Sequence, residues 1–324
     1  MPKKMTLIGD IGGTNARFAL TSTKNSLFSD YKKFKCVNYE TLSDAIESYL
    51  KEVDLKTIDN VFLAIAAPIF EEKIKIINSH WFVDRKELAR KFNIDNFHVI
   101  NDFESIAYAI DSINKSNYQT IGSLEQVHTK KLQYNIGIVG PGTGLGGAGL
   151  RKVDNKTRAY AAELGHVGFS SQNELQSELV AVLRSKFNRV VNETVVSGPG
   201  LKNILWALHQ IKNKRYKEYS SEDIFKQVYD NELAKISVDL FFEMLGQIAG
   251  DFALAIGAFD GILITGDIVN SNIYLMQKSF FRHGFENKDN YQDLMQNIPT
   301  SLINTPEVGL LGINHFSNLK QAEY

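Results

Sequence analysis

Two short glycine-rich turns, each flanked by apolar strand-like runs, constrain this chain more than any other feature. The first reads Gly9-Asp-Ile-Gly-Gly-Thr-Asn-Ala-Arg17, with Leu7-Ile8 before it and Phe18-Ala-Leu20 after it. The second reads Gly140-Pro-Gly-Thr-Gly-Leu-Gly-Gly-Ala148 and follows Asn135-Ile-Gly-Ile-Val139. Both patterns predict a β-hairpin whose tip admits close backbone approach. Glycine permits positive φ and lacks the Cβ that would keep a bound group away from the turn amides. Successive amides of that kind form an anion nest. One such unit in each half of the chain predicts two similar α/β lobes facing each other.

The 324 residues leave room for two such lobes, and at 44% hydrophobic and 23% charged the composition is that of a globular protein. A net charge of −1 gives no electrostatic reason to expect nucleic acid or an anionic membrane as partner. The start, Met1-Pro-Lys-Lys-Met-Thr6, runs directly toward the first strand with no apolar segment of signal-peptide length. The single cysteine, Cys36, excludes a disulfide framework or a multi-cysteine zinc site within one chain. A cytoplasmic protein is expected.

Read in order, Tyr31–Val37 continues the first sheet, and the Thr41-Leu-Ser-Asp44 capping box opens a helix. Val61–Ala66, Ile74–Ile77 and Phe97–Ile100 are strands, with an Asp84-capped helix through Phe92 between the last two. A helix starts at Asn101-Asp102, and the polar stretch Ser112–Asn117 marks a hinge. In the second half, helices are expected over 172–187, 199–211 and 221–257. A buried strand, Gly261–Thr265, ends in Gly266-Asp267. A strand at Leu302-Ile303 and a helix from about Glu307 close the chain. Asp239, Glu243, Gln247 and Asp251 interrupt the longest helix, which makes it a core helix rather than a membrane span.

Several side chains stand where chemistry would need them. Asp10, at the end of the first strand, would repel a bare phosphate but suits one carrying Mg²⁺, held directly or through water. Thr14 and Asn15 add donors. Asp102, where a strand gives way to a helix, is placed either to accept a proton from a hydroxyl or to cap the helix. Glu163 and His166, three residues apart with glycine between them, can both reach vicinal hydroxyls of a polyol. Glu193, judged locally, is a surface carboxylate. Gly142-x-Gly-x-x-Gly147 matches the dinucleotide fingerprint formally, but a strand follows it where that fingerprint needs a helix, so an NAD-dependent oxidoreductase is disfavoured. Two glycine hairpins suit a nucleoside triphosphate instead.

Taken together the motifs resemble the bacterial glucokinases of the hexokinase–actin superfamily. The resemblance rests on Gly9–Arg17, Ile-Asn-Asp102-Phe, Gly-Pro-Gly-Thr-Gly-Leu-Gly146, Glu163-x-Gly-His166, Ser-Gly-Pro-Gly-Leu201 and Gly-Leu-Leu-Gly312. It implies a two-lobed actin-like ATPase (ribonuclease H-like) fold. The small domain is expected over 1–112 plus 303–324, and the large one over 113–302. The activity implied is ATP-dependent phosphorylation of D-glucose at the 6-hydroxyl, the first step of glycolysis, with ATP and Mg²⁺ as cofactors and a homodimer as the usual assembly. By the same resemblance Asp102 is the base, and Asn101, Glu163, His166 and Glu193 bind the sugar. Gly9, Asp10, Ile11, Gly12, Gly13, Thr14, Asn15 and Arg17 hold the phosphates together with Gly140, Gly142, Thr143 and Gly144. Gly266 and Asp267 lie on the nucleoside side.

The chain departs from the family pattern twice. Gly266-Asp267 stands where two glycines are usual, which puts a carboxylate beside the nucleobase. Ala161-Ala162 replaces the usual Pro-Gly before Glu163. A kinase for another hexose on the same fold stays open at this point. So does a low-turnover nucleotide- or sugar-binding regulator, although the early phosphate turn is expected to leave no room for an N-terminal DNA-binding domain.

Overall fold

The structure, a computed structural model, describes residues 5–22, 28–124 and 131–322; the start at Met1–Lys4 lies outside the described residues. The chain divides into two compact units. The first comprises Met1–Ile113, Thr157–Ala161 and Thr305–Tyr324, the second Asn114–Lys156 and Ala162–Asn304.

The first unit is built on strands β1 (Thr6–Ile11), β2 (Asn15–Thr21), β3 (Ser29–Lys35), β4 (Asn60–Ile65) and β7 (Asn96–Asn101), ordered β3-β2-β1-β4-β7. A separate ribbon pairs β5 (Lys73–Lys75) with β6 (Phe82–Asp84). Strands β1, β2 and β3 form an antiparallel meander, whereas β1, β4 and β7 are parallel. Alternation sets the two faces. Leu7 and Phe18 pack with α1 (Leu42–Glu52), while Ile8 and Ala19 join a cluster with Tyr108 of α3 (Asp102–Ala109) and Leu310, Ile313 and Phe316 near the C-terminus. The capping box at α1 is reciprocal. Asp44 N–H donates to Thr41 Oγ1 at 3.2 Å, and Thr41 N–H donates to Asp44 Oδ2 at 2.9 Å. Helix α2 (Arg85–Phe92) is capped by Asp84, whose Oδ1 accepts from Glu87 N–H at 3.0 Å. Strand β3 ends earlier than expected because Cys36–Asn38 turns into a 3-10 segment, from which Cys36 N–H donates to Thr14 O at 2.9 Å.

The second unit carries β8 (Tyr118–Ile121), β9 (Tyr134–Pro141), β10 (Leu145–Val153), β12 (Gly261–Ile264) and β13 (Thr300–Ile303), ordered β10-β9-β12-β13-β8, while β11 (Lys156–Ala162) falls, over Thr157–Ala161, in the first unit. Here too a hairpin, β9–β10, is continued by parallel strands, β12 and β13. The helices are α4 (Glu174–Leu183), α5 (Asn192–Val195), α6 (Gly198–Ile211), α7 (Ser221–Lys226) and α8 (Glu232–Ile256). Short helices follow, α9 (Asp267–Asn270), α10 (Ile273–Gln277), α11 (Phe281–Glu286) and α12 (Gln292–Gln296); α13 (Val308–Ala322) returns to the first unit.

One expectation is corrected. Residues 221–257 form two helices, because Asn231 Oδ1 accepts from Leu233 and Ala234 N–H and starts α8 afresh. The polar stretch at Ser112–Asn117, read as a hinge, contains 3-10 turns and the boundary between the two units after Ile113, and it leads into β8, which pairs antiparallel with β13. Helix α8 is a core helix, with Leu240, Met244, Ile248 and Phe252 buried, and no helix among the described residues is long and apolar enough to cross a membrane.

Candidate active site

In the first unit, strand register positions the functional groups. Ile11 pairs with Ile65, and Ile65 pairs with Asn101. Because β1, β4 and β7 run parallel, the glycine turn after β1 and Asp102 after β7 leave the same edge of the sheet. Two strand spacings separate them, about 10 Å. Open α/β sheets bind ligands at this edge.

The turn at Gly12–Thr14 closes through Gly12 N–H to Asn15 O at 2.9 Å. Positive φ plays no part in it, contrary to expectation: among the described residues the glycines with positive φ are Gly122, Gly257, Gly261 and Gly266. Gly13 is required for a different reason, since a Cβ there would lie 2.8 Å from Ile77 O and 2.9 Å from Asn78 O. Thr14 is exposed, while Gly12, Gly13 and Asn15 are partly so.

Asp10 and Arg17 face each other across the hairpin, paired in register, with Arg17 Nη1 3.3 Å from Asp10 Oδ2. Arg17 Nε also lies 2.7 Å from Glu307 Oε2, and Tyr31 donates to Glu307 Oε1 at 2.7 Å. The guanidinium expected to face a phosphate is thus already flanked by two carboxylates. Burial pushes the Asp10 carboxyl above its ordinary value, Arg17 offsets this, and Glu307 adds to it. Burial and the bond to Glu307 push the Tyr31 phenol up to about 12. Nothing local in the sequence signals Tyr31 or Glu307, whose contact spans 276 positions.

At the strand–helix junction the cap is Asn101, not Asp102. Asn101 Oδ1 accepts from Phe103 N–H at 2.9 Å and Glu104 N–H at 3.3 Å, and its Nδ2 donates to Ala67 O at 3.2 Å. Asp102 is the first helical residue, and its Oδ1 accepts from Phe103 N–H at 3.0 Å. Glu104, one further carboxyl in this turn, is pushed above its ordinary value by burial, an effect opposed by a backbone hydrogen bond at Asn101.

In the second unit Gly140 and Pro141 belong to β9, so the loop proper is Gly142–Gly144. It closes through Gly142 N–H to Gly144 O at 2.8 Å and is tied to α6 by Gly198 N–H to Gly142 O at 2.8 Å. Ser221 Oγ donates to Gly198 O at 3.0 Å. Glu163 caps and His166 ends a 3-10 turn, Leu164–His166, in which Leu164 and Gly165 are buried, and the Glu163 and His166 side chains are exposed. Asn192 Nδ2 anchors that turn, donating to Leu164 O at 3.1 Å. Glu193 is half-buried rather than a surface carboxylate: its Oε2 accepts from Leu145 N–H at 2.9 Å. Gly266 has φ +112°, and a Cβ there would lie 2.5 Å from Pro141 O, so the chain leaving β12 packs against the last residue of β9. Asp267 is exposed and opens α9.

Solved structures share this architecture. That of the glucokinase from an Antarctic psychrotroph has a TM-score of 0.84 at 28% identity, covering 97% of this chain and 98% of that one. That of the Balamuthia mandrillaris glucokinase in complex with glucose has a TM-score of 0.81 at 23% identity, covering 98% and 94%. The fold is therefore mixed α/β of the actin-like ATPase type found in sugar kinases. In sequence, the glucokinase of Xylella fastidiosa (strain 9a5c) is 36% identical over 318 residues, spanning 96% of this chain and 94% of that one. The family profile described as Glucokinase matches residues 7–320, and the chain belongs to the glucokinase family.

Proposed function

We propose that the protein is a cytoplasmic, homodimeric glucokinase that transfers the γ-phosphoryl group of ATP to the 6-hydroxyl of D-glucose. What carries the reading is the register of the first sheet: the Gly12–Thr14 turn and Asp102 leave the same edge, two strands apart. Asp102 takes the 6-hydroxyl proton as the sugar oxygen bonds to the γ-phosphorus. The bond from that phosphorus to the bridging oxygen breaks, and ADP leaves with the electron pair. Asn101 has both ends of its amide committed to the junction, so its first task is to fix where Asp102 points. Glu163, His166 and Glu193 hold the remaining hydroxyls, and the amides of the two glycine turns hold the phosphates.

Among the described residues no three His, Cys, Asp or Glu side chains converge on a metal position. Mg²⁺ that arrives on a triphosphate needs only one or two carboxylates, the rest of its shell being water and phosphate. Asp10 fits that demand, because a desolvated carboxylate at the phosphate turn gains from a nearby cation. Bound there, the ion would neutralise charge on the phosphate oxygens. An assay coupling ADP release to added glucose tests the function directly, and ADP release indifferent to glucose rejects it. Sedimentation tests the dimer.

A further inference from the structure

We propose that Gly144, in the second glycine turn, is a positioning residue of the sugar site: lacking a side chain, it lets the Glu193 carboxylate lie where a sugar hydroxyl can reach it. The proposal rests on the reading of Glu193 as a sugar ligand. Glu193 Oε2 is held by Leu145 N–H at 2.9 Å. A Cβ on Gly144 would run into that same oxygen and come within 3.1 Å of Cδ. On another side Gly165, inside the Glu163–His166 turn, places its Cβ position 3.2 Å from Oε2 and 3.4 Å from the Glu193 Cβ. The carboxylate is thus packed against two glycines drawn from two segments, one assigned to phosphate and one to sugar. Gly165 in turn lies against the carbonyl of Leu145, and Asn192, next to Glu193, bonds Leu164 O. The phosphate turn, the sugar turn and Glu193 form one packed unit.

Gly142, two residues earlier in the same turn, has nothing within 4 Å of its Cβ position. Two glycines of one motif therefore do different work. A methyl group on Gly142 would point into open space, whereas one on Gly144 would have to displace Glu193. Restoring an ordinary contact of 3.4 Å or more requires the carboxylate to move. The shift is on the order of 1 Å, enough to spoil a hydrogen-bonded geometry. A substitution in the phosphate turn is then felt by the sugar even when no nucleotide is present.

The test is glucose binding measured by calorimetry without nucleotide, on the wild-type chain and on Gly142→Ala, Gly144→Ala, Glu193→Asp and the double variant Gly144→Ala/Glu193→Asp. Gly142→Ala is expected to stay within about twofold of wild type for glucose, and Gly144→Ala to bind about tenfold more weakly or worse. In the Glu193→Asp background the shorter side chain withdraws the carboxylate, so the added methyl should cost less than about threefold. Wild-type-like binding by Gly144→Ala, or an equal loss in both backgrounds, overturns the proposal. If wild type fails to bind glucose, or Glu193→Gln binds it as wild type does, the sugar-site reading itself fails. Thermal unfolding supplies the second readout: a midpoint lowered by Gly144→Ala should recover in the double variant, and a midpoint that stays low rejects Glu193 as the displaced group.

Discussion

The two glycine turns are alike in sequence and unlike in what surrounds them. In the first, Gly13 is walled by main chain, with the carbonyls of Ile77 and Asn78 against it, and Arg17, Asp10 and Glu307 brace the hairpin from the side. In the second, Gly142 faces open space and Gly144 faces the carboxyl end of a side chain. Main chain held in a sheet and turn has little freedom to yield; a glutamate has three side-chain torsions. The first turn is therefore shaped before any ligand arrives, while the second can adjust to what its neighbour Glu193 is holding.

The comparison can be broken at several levels of effect. The largest concerns chemistry against binding. Asp102→Asn should lower kcat by about 10²–10⁴ with a much smaller change in the KM for glucose, whereas Glu163→Gln should act mainly on that KM. Steady-state kinetics on both variants checks this, and equal effects on both parameters would erase the division of labour. Next comes the shape of the turns. Gly13→Ala should destabilise by about 1–3 kcal/mol, because backbone must move, while Gly142→Ala should change stability by less than about 0.5 kcal/mol. Chemical denaturation of the two variants decides it.

Smaller still is the cap of α1. Thr41→Ala should cost about 1 kcal/mol of stability and leave kinetics untouched. If the two units unfold separately, only one of two transitions should shift, which calorimetry can resolve. The smallest effect is electrostatic. Burial raises the Glu104 carboxyl, so the folded state holds that proton more tightly than the unfolded chain. Its contribution to stability is greatest below the ordinary glutamate range and declines as pH rises from there through the folded value. Glu104→Gln should flatten that slope and raise the unfolding midpoint at neutral pH, as melts across a pH series would show.

What the sequence made legible was local. The Thr41 capping box, the Asp84 cap, the buried strand at Val61–Ile65 and the two hairpins all depend on neighbours a few positions away, and periodicity or capping chemistry reveals such features. Strand β8 escapes a local reading because Tyr-Gln-Thr-Ile is short and half polar, and its strand partner among the described residues is β13, far along the chain. The break between α7 and α8 was missed because apolar residues continue through it, while the Asn231 cap that restarts the helix is one residue among many. The glycine turns were found, but the reason for their glycines was not, since close approach by Ile77, Asn78 or Glu193 is invisible in a linear text. Glu193 looked like a surface residue because its partner, the amide of Leu145, lies 48 positions upstream.

Helix α13 returns to the opposite end of the chain. Gln321 donates to Thr6 at 2.9 Å, Ser105 donates to Gly309 O at 2.7 Å, and Leu310, Ile313 and Phe316 cover one face of the first sheet. During synthesis that face stays bare until α13 has left the ribosome. The half made first is consequently completed last. Its apolar side must wait, shielded or unshielded, through the entire translation of the other half.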